Sequence, residues 1–112
     1  MVTVDNGITS VAEAKHAKEI GLDLLITDHH HQLDEIPEAI AVVNPQVSPD
    51  YEFKGICGAA VAFKVVNAFM AQSTFDAEKK RMIFEYLLPI VAIATVADCV
   101  PLTHENRVLV KR

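Results

Sequence analysis

Short apolar runs separated by polar turns fill the first half of the chain, in a pattern typical of buried strands. The runs are residues 1–4, 22–27 and 41–43. Each run stops at an abrupt polar or turn signal, which predicts a strand that ends there. Between the first two runs, Ser10-Val11-Ala12-Glu13 has the form of a capping box, so we predict a helix that begins near Val11 and ends at Gly21. Its expected buried face consists of Val11, Ala14, Ala17 and Ile20.

The second half of the chain predicts helices. Residues 58–71 are apolar on nearly all sides, which indicates a buried helix. A more polar connection, residues 72–81, leads to a second apolar helix over residues 82–97, where Pro89 should cause a kink. Strand, helix and strand joined by short connections predict a parallel unit. We therefore predict an α/β fold of three layers, with a parallel sheet flanked by helices.

Composition and charge are consistent with a folded domain that has a cation-binding end. Hydrophobic residues make up 51% of the 112 residues and the net charge is −5, which argues against a nucleic-acid clamp that works by positive charge alone. Residues 1–50 hold nine acidic and two basic residues, and four of the five histidines. Such a concentration of carboxylates and imidazoles favours binding of a cation.

The cysteines and the longest apolar run indicate a cytoplasmic protein with no membrane segment. Cys57 and Cys99 are far apart and form no Cys-x-x-Cys pair, so we predict two buried, reduced thiols. The apolar run over residues 87–97 is too short to cross a bilayer, which takes about 20 residues. No leader-like pattern opens the chain.

Acidic and histidine residues follow the first two predicted strands. Asp5 comes after the first strand, and Asp28-His29-His30 comes after the second. Because the carboxyl ends of parallel strands meet at one edge of a sheet, we expect these groups to lie together. Carboxylates with neutral imidazoles form a ligand set for Mn²⁺, Zn²⁺ or Fe²⁺. The alternative is that Asp5 caps a turn with Asn6 and Gly7, while the histidines form a solvated loop.

Asp98 adds a further carboxylate at the end of the last predicted helix. An unpaired, buried carboxylate is costly, and a helix C-terminus is an unfavourable place for an anion. A nearby cation would remove both penalties. The alternative is that Asp98 caps the next segment. His16 and His104 are expected to be ordinary surface residues.

Several ordered segments resemble a known family. Val4-Asp5-Asn6-Gly7-Ile8, Thr27-Asp28-His29-His30 and Ala41-Val42-Val43-Asn44-Pro45 resemble the DHH phosphoesterase superfamily. Residues 53–64, residues 94–102 and Glu105-Asn106-Arg107 are similar to the RecJ-type single-stranded-DNA-specific exonucleases within it. Together these segments run nearly from end to end of the chain.

The resemblance implies a 5′-to-3′ exonuclease that acts in recombination and repair and uses two divalent ions, Mn²⁺ or Mg²⁺. By the family pattern, Asp5 would bridge the two ions, and His29 and Asp98 would ligate one of them. His30 would contact the scissile phosphate or protonate the leaving oxygen. Asp28 would orient the two histidines without itself binding a metal ion.

The chain departs from the family pattern in one respect, because the family's first, Asp-rich motif is absent. The resemblance then implies that residues 1–112 are a partial DHH catalytic domain, without its N-terminal strands and C-terminal domains. We expect an incomplete two-metal site and no activity in isolation, with single-stranded DNA bound mainly by the missing parts. Missing strands would also leave an open sheet edge through which two copies could pair.

Two other functions stay open from the sequence. A pyrophosphatase or a phosphodiesterase acting on small nucleotides would use a similar Asp, Asp-His-His and later Asp. A DHH-like scaffold without catalytic activity would keep the fold and lose the metal.

Overall fold

The computed structural model describes residues 1–111, which form a three-stranded parallel sheet and four helices. The elements, in chain order, are β1 (Val2–Val4), α1 (Val11–Glu19), β2 (Leu25–Thr27), β3 (Ala41–Val43), α2 (Gly58–Gln72), α3 (Ala77–Ala97) and α4 (His104–Lys111). β2 lies between β1 and β3 and pairs in parallel with both. The three predicted strands are therefore confirmed, although β2 is shorter than the apolar run that contains it.

The sheet is covered on both faces, which confirms the predicted three-layer α/β architecture. Successive side chains of a strand point to opposite faces. On one face, Ile26 of β2 packs with Ala14 and Ala17 of α1. On the other face, Val43 of β3 packs against a core built from α2, α3 and the loop before α2. The buried members of that core are Ile56, Cys57, Ala60, Val61, Phe63 and Val91.

Helix α1 has the predicted bounds but differs in detail. Ser10 is its N-cap residue, yet the serine side chain makes no capping hydrogen bond, so the predicted capping box does not form. The C-terminal end is closed at Gly21, which has a φ of 71°, and Leu22 N donates to Ala17 O at 2.8 Å, as in a Schellman motif. The prediction that Ile20 is buried was wrong, since it lies at the C-cap and is 62% exposed.

Helix α3 begins five residues earlier than predicted and is less buried. The Asp76 carboxylate accepts a hydrogen bond from Lys79 N at 2.8 Å, and this cap starts the helix within the polar stretch that was interpreted as a connection. The helix continues through Pro89. The expectation that this apolar helix is buried was wrong for much of its surface, because Ile90 and Ile93 are exposed and only Val91 and Thr95 are buried.

The cysteine prediction holds for one residue only. Both thiols are free, but Cys57 is buried whereas Cys99 is exposed, just beyond the end of α3. The expectation of two buried thiols was therefore wrong for Cys99. Among the helices of residues 1–111, none is long and apolar enough to cross a membrane.

β1 is an edge strand of the sheet in residues 1–111. It pairs only with β2, and its Val2 and Val4 side chains are exposed. An open edge of this kind can pair with another strand. Pairing of two copies through β1 stays a prediction.

A polar cluster joins α2, α4 and the loop before α2. Glu105 accepts a hydrogen bond from Tyr51 Oη at 2.6 Å and forms an ion pair with Lys64. Burial tends to raise the pKa of Glu105, but the hydrogen bonds from Lys64 and Tyr51 outweigh it and hold that pKa below its ordinary value of 4.5. Ionised Glu105 therefore stabilises the folded chain at neutral pH.

We predict that Glu105→Gln lowers the free energy of unfolding at pH 7 by less than about 1 kcal/mol, because the pair is partly exposed. The folded-state pKa lies below the unfolded one, so this contribution is present above pH 4.5 and is lost as the pH falls through the folded-state pKa. Urea unfolding at pH 7 and pH 3 measures the difference. Glu85→Gln, on the exposed face of α3, is the matched control and should change stability by at most about 0.5 kcal/mol. A Glu105→Gln deficit that is equal at both pH values would contradict the prediction.

Candidate metal centre

The ends of β1 and β2 place Asp5 and Asp28 side by side. Val4 and Thr27 are partners in the parallel register, so the residues that follow them, Asp5 and Asp28, lie at the same edge of the sheet. Asp5 N donates to Thr27 O at 3.0 Å and Asp28 N donates to Val43 O at 3.1 Å, which extends the ladder by one residue. Asp5 has a φ of 63°, an uncommon conformation for a residue other than glycine, and such conformations often occur at functional sites.

Asp28 is a buried carboxylate whose two oxygens are both used by the protein. It is 1% exposed. Oδ2 accepts from Ile8 N at 2.9 Å, while Oδ1 accepts from His29 N at 2.8 Å and lies 2.7 Å from His30 Nδ1. Burial alone would raise the pKa of Asp28, but these hydrogen bonds outweigh it and lower that pKa. Asp28 is therefore ionised at neutral pH and holds the histidine segment in place.

His30 is oriented by this carboxylate. Ionised Asp28 can only accept, so His30 Nδ1 is the donor in their hydrogen bond and Nε2 lies at the other side of the ring. The same hydrogen bond raises the pKa of His30, which favours the protonated imidazole. The His30 side chain is 58% exposed.

The backbone of the histidine pair is supported from the loop after β3. Asn44 Nδ2 donates to His30 O at 2.9 Å, and Gln46 Nε2 donates to His29 O at 3.3 Å. Sequence reasoning did not assign these two supporting residues. The position of Asn44 could have been predicted, because it directly follows a strand and therefore lies at the same edge of the sheet as Asp5, but the backbone oxygen that its amide reaches could not.

His29 Nε2 is the focus of the cluster. This atom is buried, and none of its contacts within the part of the chain that the structure describes has the geometry of a hydrogen bond. It lies 3.1 Å from Asp5 Oδ1 and 3.6 Å from Asp98 Oδ2, so two carboxylates from different elements converge on one imidazole nitrogen. A buried polar atom without a partner is rare and calls for an explanation.

Asp5 rests directly on the start of α2. A Cβ atom added to Gly58 would lie only 2.6 Å from both Asp5 Cβ and Asp5 Cγ, so glycine is the residue that this contact admits. The contact places the carboxylate at the N-terminus of α2, where the partial positive charge of the helix favours an anion. Sequence reasoning quoted Gly58 within a motif and did not assign it this role.

The geometry favours the cation-binding interpretation over the two local alternatives. The turn after β1 is closed by Thr3 and Asn6, since Thr3 Oγ1 donates to Asn6 O at 2.8 Å and Asn6 Nδ2 donates to Val4 O at 3.0 Å. The Asp5 carboxylate takes no part in these bonds. Asp98 ends α3, and its carboxylate faces His29, with no backbone N–H of residues 1–111 donating to it.

His16 and His104 lie outside the cluster. His16 is exposed and sits 3.8 Å from Glu19 on α1. His104 is exposed and stacks on Phe53 at a ring distance of 5.0 Å. Both were predicted to be surface residues, and both are.

The donor set fits a divalent metal ion. One ligand atom from each of Asp5, His29 and His30 lies within 4.8 Å of the others, and Asp98 faces the same imidazole nitrogen. An ion between Asp5, His29 and Asp98 would give His29 Nε2 the partner that it lacks and would neutralise two converging carboxylates. Mixed carboxylate and imidazole ligands are typical of sites for Mn²⁺, Zn²⁺ and Fe²⁺.

Comparisons with known proteins agree on one family. The family model described as "DHH family, N-terminal domain" matches residues 1–95. The chain is 44% identical over 110 residues to the single-stranded-DNA-specific exonuclease RecJ of Bacillus subtilis, and this match covers 97% of the chain and 13% of that protein. It is 43% identical to the RecJ protein of Salmonella typhimurium, with 97% and 20% covered. The chain thus spans a fifth or less of the length of these relatives.

Solved structures give the same result for the fold. The chain superposes on a crystal structure of exonuclease RecJ bound to manganese with a TM-score of 0.82 and 34% identity, covering 98% of this chain and 26% of that one. A structure of RecJ in complex with Mn²⁺ from Thermus thermophilus gives the same TM-score and identity, with 98% and 16% covered.

Proposed function

The chain belongs to the DHH family, and we propose that it forms part of the catalytic centre of a metal-dependent 5′-to-3′ exonuclease that hydrolyses single-stranded DNA. Relatives of about 40% identity are named single-stranded-DNA-specific exonucleases. The observation that carries the proposal is the buried His29 Nε2, which has no hydrogen-bond partner in residues 1–111 and lies between the carboxylates of Asp5 and Asp98.

Asp5, His29 and Asp98 would hold the divalent ions, Mn²⁺ or Mg²⁺, and the Asp5 carboxylate would be shared between two ions. Structures of similar chains have been solved with manganese, which supports Mn²⁺ as the ion. When bound, such ions supply positive charge that stabilises the negative charge developing on phosphate oxygens during hydrolysis. Because Asp5 also lies against Gly58, its carboxylate is fixed in advance for this role.

His30 and Asp28 are the proposed catalytic pair. The raised pKa of His30 favours a proton on Nε2, the edge that faces away from Asp28. From there His30 can donate a hydrogen bond to the scissile phosphate or a proton to the leaving oxygen. Asp28 keeps the ring in this orientation and compensates the charge of the imidazolium.

We also propose that the chain alone is inactive. Its ligands converge on one imidazole nitrogen, and a second ion would need carboxylates beyond Asp5 and Asp98. The negative net charge of −5 agrees with a strand of DNA being held mainly by other parts of a longer protein. In that longer protein the activity would serve recombination and repair in the cytoplasm.

The two other functions have less support. A pyrophosphatase or small-nucleotide phosphodiesterase would share the Asp-His-His segment, but the relatives named above are single-stranded-DNA exonucleases. A scaffold without catalytic activity would not need Asp5, Asp28, His29, His30 and Asp98 to converge.

A calorimetric Mn²⁺ titration of the chain and of Asp5→Asn tests the proposal. We expect saturable binding that weakens by about 10-fold or more in the variant, because one charged ligand is lost. Asp50→Asn, at an exposed loop position, removes the same charge away from the site and is the matched control. Equal binding by Asp5→Asn and the parent chain would remove Asp5 from the site, and no binding by the parent chain would contradict the half-site itself.

A further inference from the structure

Asn106 is a fully buried amide that joins two loops. It lies in α4 and its relative exposure is 0%. Nδ2 donates to Gly55 O at 2.6 Å and to Pro101 O at 2.9 Å. One side chain therefore connects the loop before α2 to the loop after α3.

The orientation of this amide is fixed by its partners. Both partners are carbonyl oxygens, which only accept, so the donating Nδ2 must face them. The opposite end, Asn106 Oδ1, is buried and has no hydrogen-bond partner in residues 1–111. An apolar residue at this position would avoid the unpaired oxygen but would leave two backbone carbonyls without donors. The contribution of asparagine here is therefore its two hydrogen bonds to the loops.

Both loops lead directly to the candidate metal centre. Gly55 is three residues before Gly58, on which the Asp5 carboxylate rests. Pro101 is three residues after Asp98, which faces His29. The loops also lie close together, since a Cβ atom added at Gly55 would come within 3.5 Å of Pro101 Cδ. The spacing between these loops thus helps to set the separation of the Asp5 and Asp98 carboxylates.

We propose that Asn106 is a positioning residue of the metal centre, which holds Asp98 at the distance from His29 and Asp5 that a shared cation requires. This inference rests on the proposed function, because it takes Asp5, His29 and Asp98 to be the ligands. Asn106 makes no hydrogen bond to any of these three side chains, and it acts through the backbone of its two loops.

The test is a Mn²⁺ titration of the parent chain, Asn106→Ala and Asn106→Ser. We expect Mn²⁺ affinity to fall about 10-fold in Asn106→Ala, the lower end of the effect of losing a support behind metal ligands. Asn106→Ser keeps one donor and should lose less affinity, which also provides a folded variant if alanine disrupts the fold. Leu24→Ala is the matched control, because it removes buried volume from the core under α1, which contains no residue of either loop, and it should leave affinity unchanged.

A double-mutant cycle separates positioning from general destabilisation. In an Asp98→Asn background, where the charge being positioned is gone, Asn106→Ala should cause no further loss of affinity. An equal loss in both backgrounds, no loss in Asn106→Ala, or an equal loss in Leu24→Ala would overturn the proposal while leaving the metal site intact. If the parent chain binds no Mn²⁺, the proposed function fails. The role of Asn106 is then decided by amide NMR of the metal-free chain, where an unmoved Asp98 signal in Asn106→Ala overturns it and a shifted one supports it.

Discussion

Replacing His29 with alanine is expected to reduce nuclease activity by more than about 100-fold in a full-length chain, since even the loss of an outer support of a metal ligand costs about 10- to 100-fold. His29 Nε2 is the atom on which the Asp5 and Asp98 carboxylates converge, at 3.1 and 3.6 Å. Alanine removes this nitrogen and leaves two anions facing each other. The site would lose one ligand and also the imidazole on which the Asp5 and Asp98 carboxylates converge.

The assay requires a chain of the relatives' length. A chimera serves this purpose, in which these residues replace the matching segment of the Bacillus subtilis exonuclease, 44% identical over 110 residues. Release of nucleotides from labelled single-stranded DNA with Mn²⁺ gives the rate. His31→Ala is the matched control, because His31 is an exposed imidazole two residues from His29, and it should keep the parent rate. Turnover near the parent rate in His29→Ala would exclude His29 from the site, and Asp98→Ala can be judged in the same way.

The part of the site that could be predicted from the sequence depends on local rules. Asp5 and Asp28 each follow an apolar run, and the carboxyl ends of parallel strands share one edge of a sheet, so their proximity follows from the strand pattern. The unfavourable position of Asp98 at a helix C-terminus indicated a cation nearby, and the carboxylate does face His29. The resemblance to the DHH family then assigned roles that spacing alone leaves open.

The missed features depend on tertiary contacts that no local rule specifies. Asn44 and Gln46 support the histidine pair through loop backbone, and a sequence does not tell which carbonyl an amide will reach. Ile20 and Cys99 were expected to be buried. Each lies just beyond the end of a helix and is exposed. α3 was expected to be buried because it is apolar, yet the described elements cover only one side of it.

The second large effect is expected for Gly58→Ala. This substitution should lower the free energy of unfolding, although alanine favours a helix more than glycine does. Alanine normally stabilises a helix by up to about 1 kcal/mol relative to glycine. At this position the added Cβ would lie 2.6 Å from Asp5 Cβ, a distance that rotation of the carboxylate cannot relieve. We therefore expect Gly58→Ala to lower the free energy of unfolding by about 1–3 kcal/mol, the usual cost of overpacking. Mn²⁺ affinity should fall with it, since Asp5 must move.

Removing the Asp5 side chain should reverse the sign of the stability change. Asp5→Gly deletes the atoms that the new Cβ would meet, and glycine suits the φ of 63° at that position. In this background Gly58→Ala should be neutral or stabilising by urea unfolding, whereas Mn²⁺ binding should stay weak because the ligand is gone. A Gly58→Ala penalty that persists in Asp5→Gly would mean that Gly58 is required by something other than Asp5. The fixed position of Asp5 would then have to come from its own turn, closed by Thr3 and Asn6, and not from the start of α2.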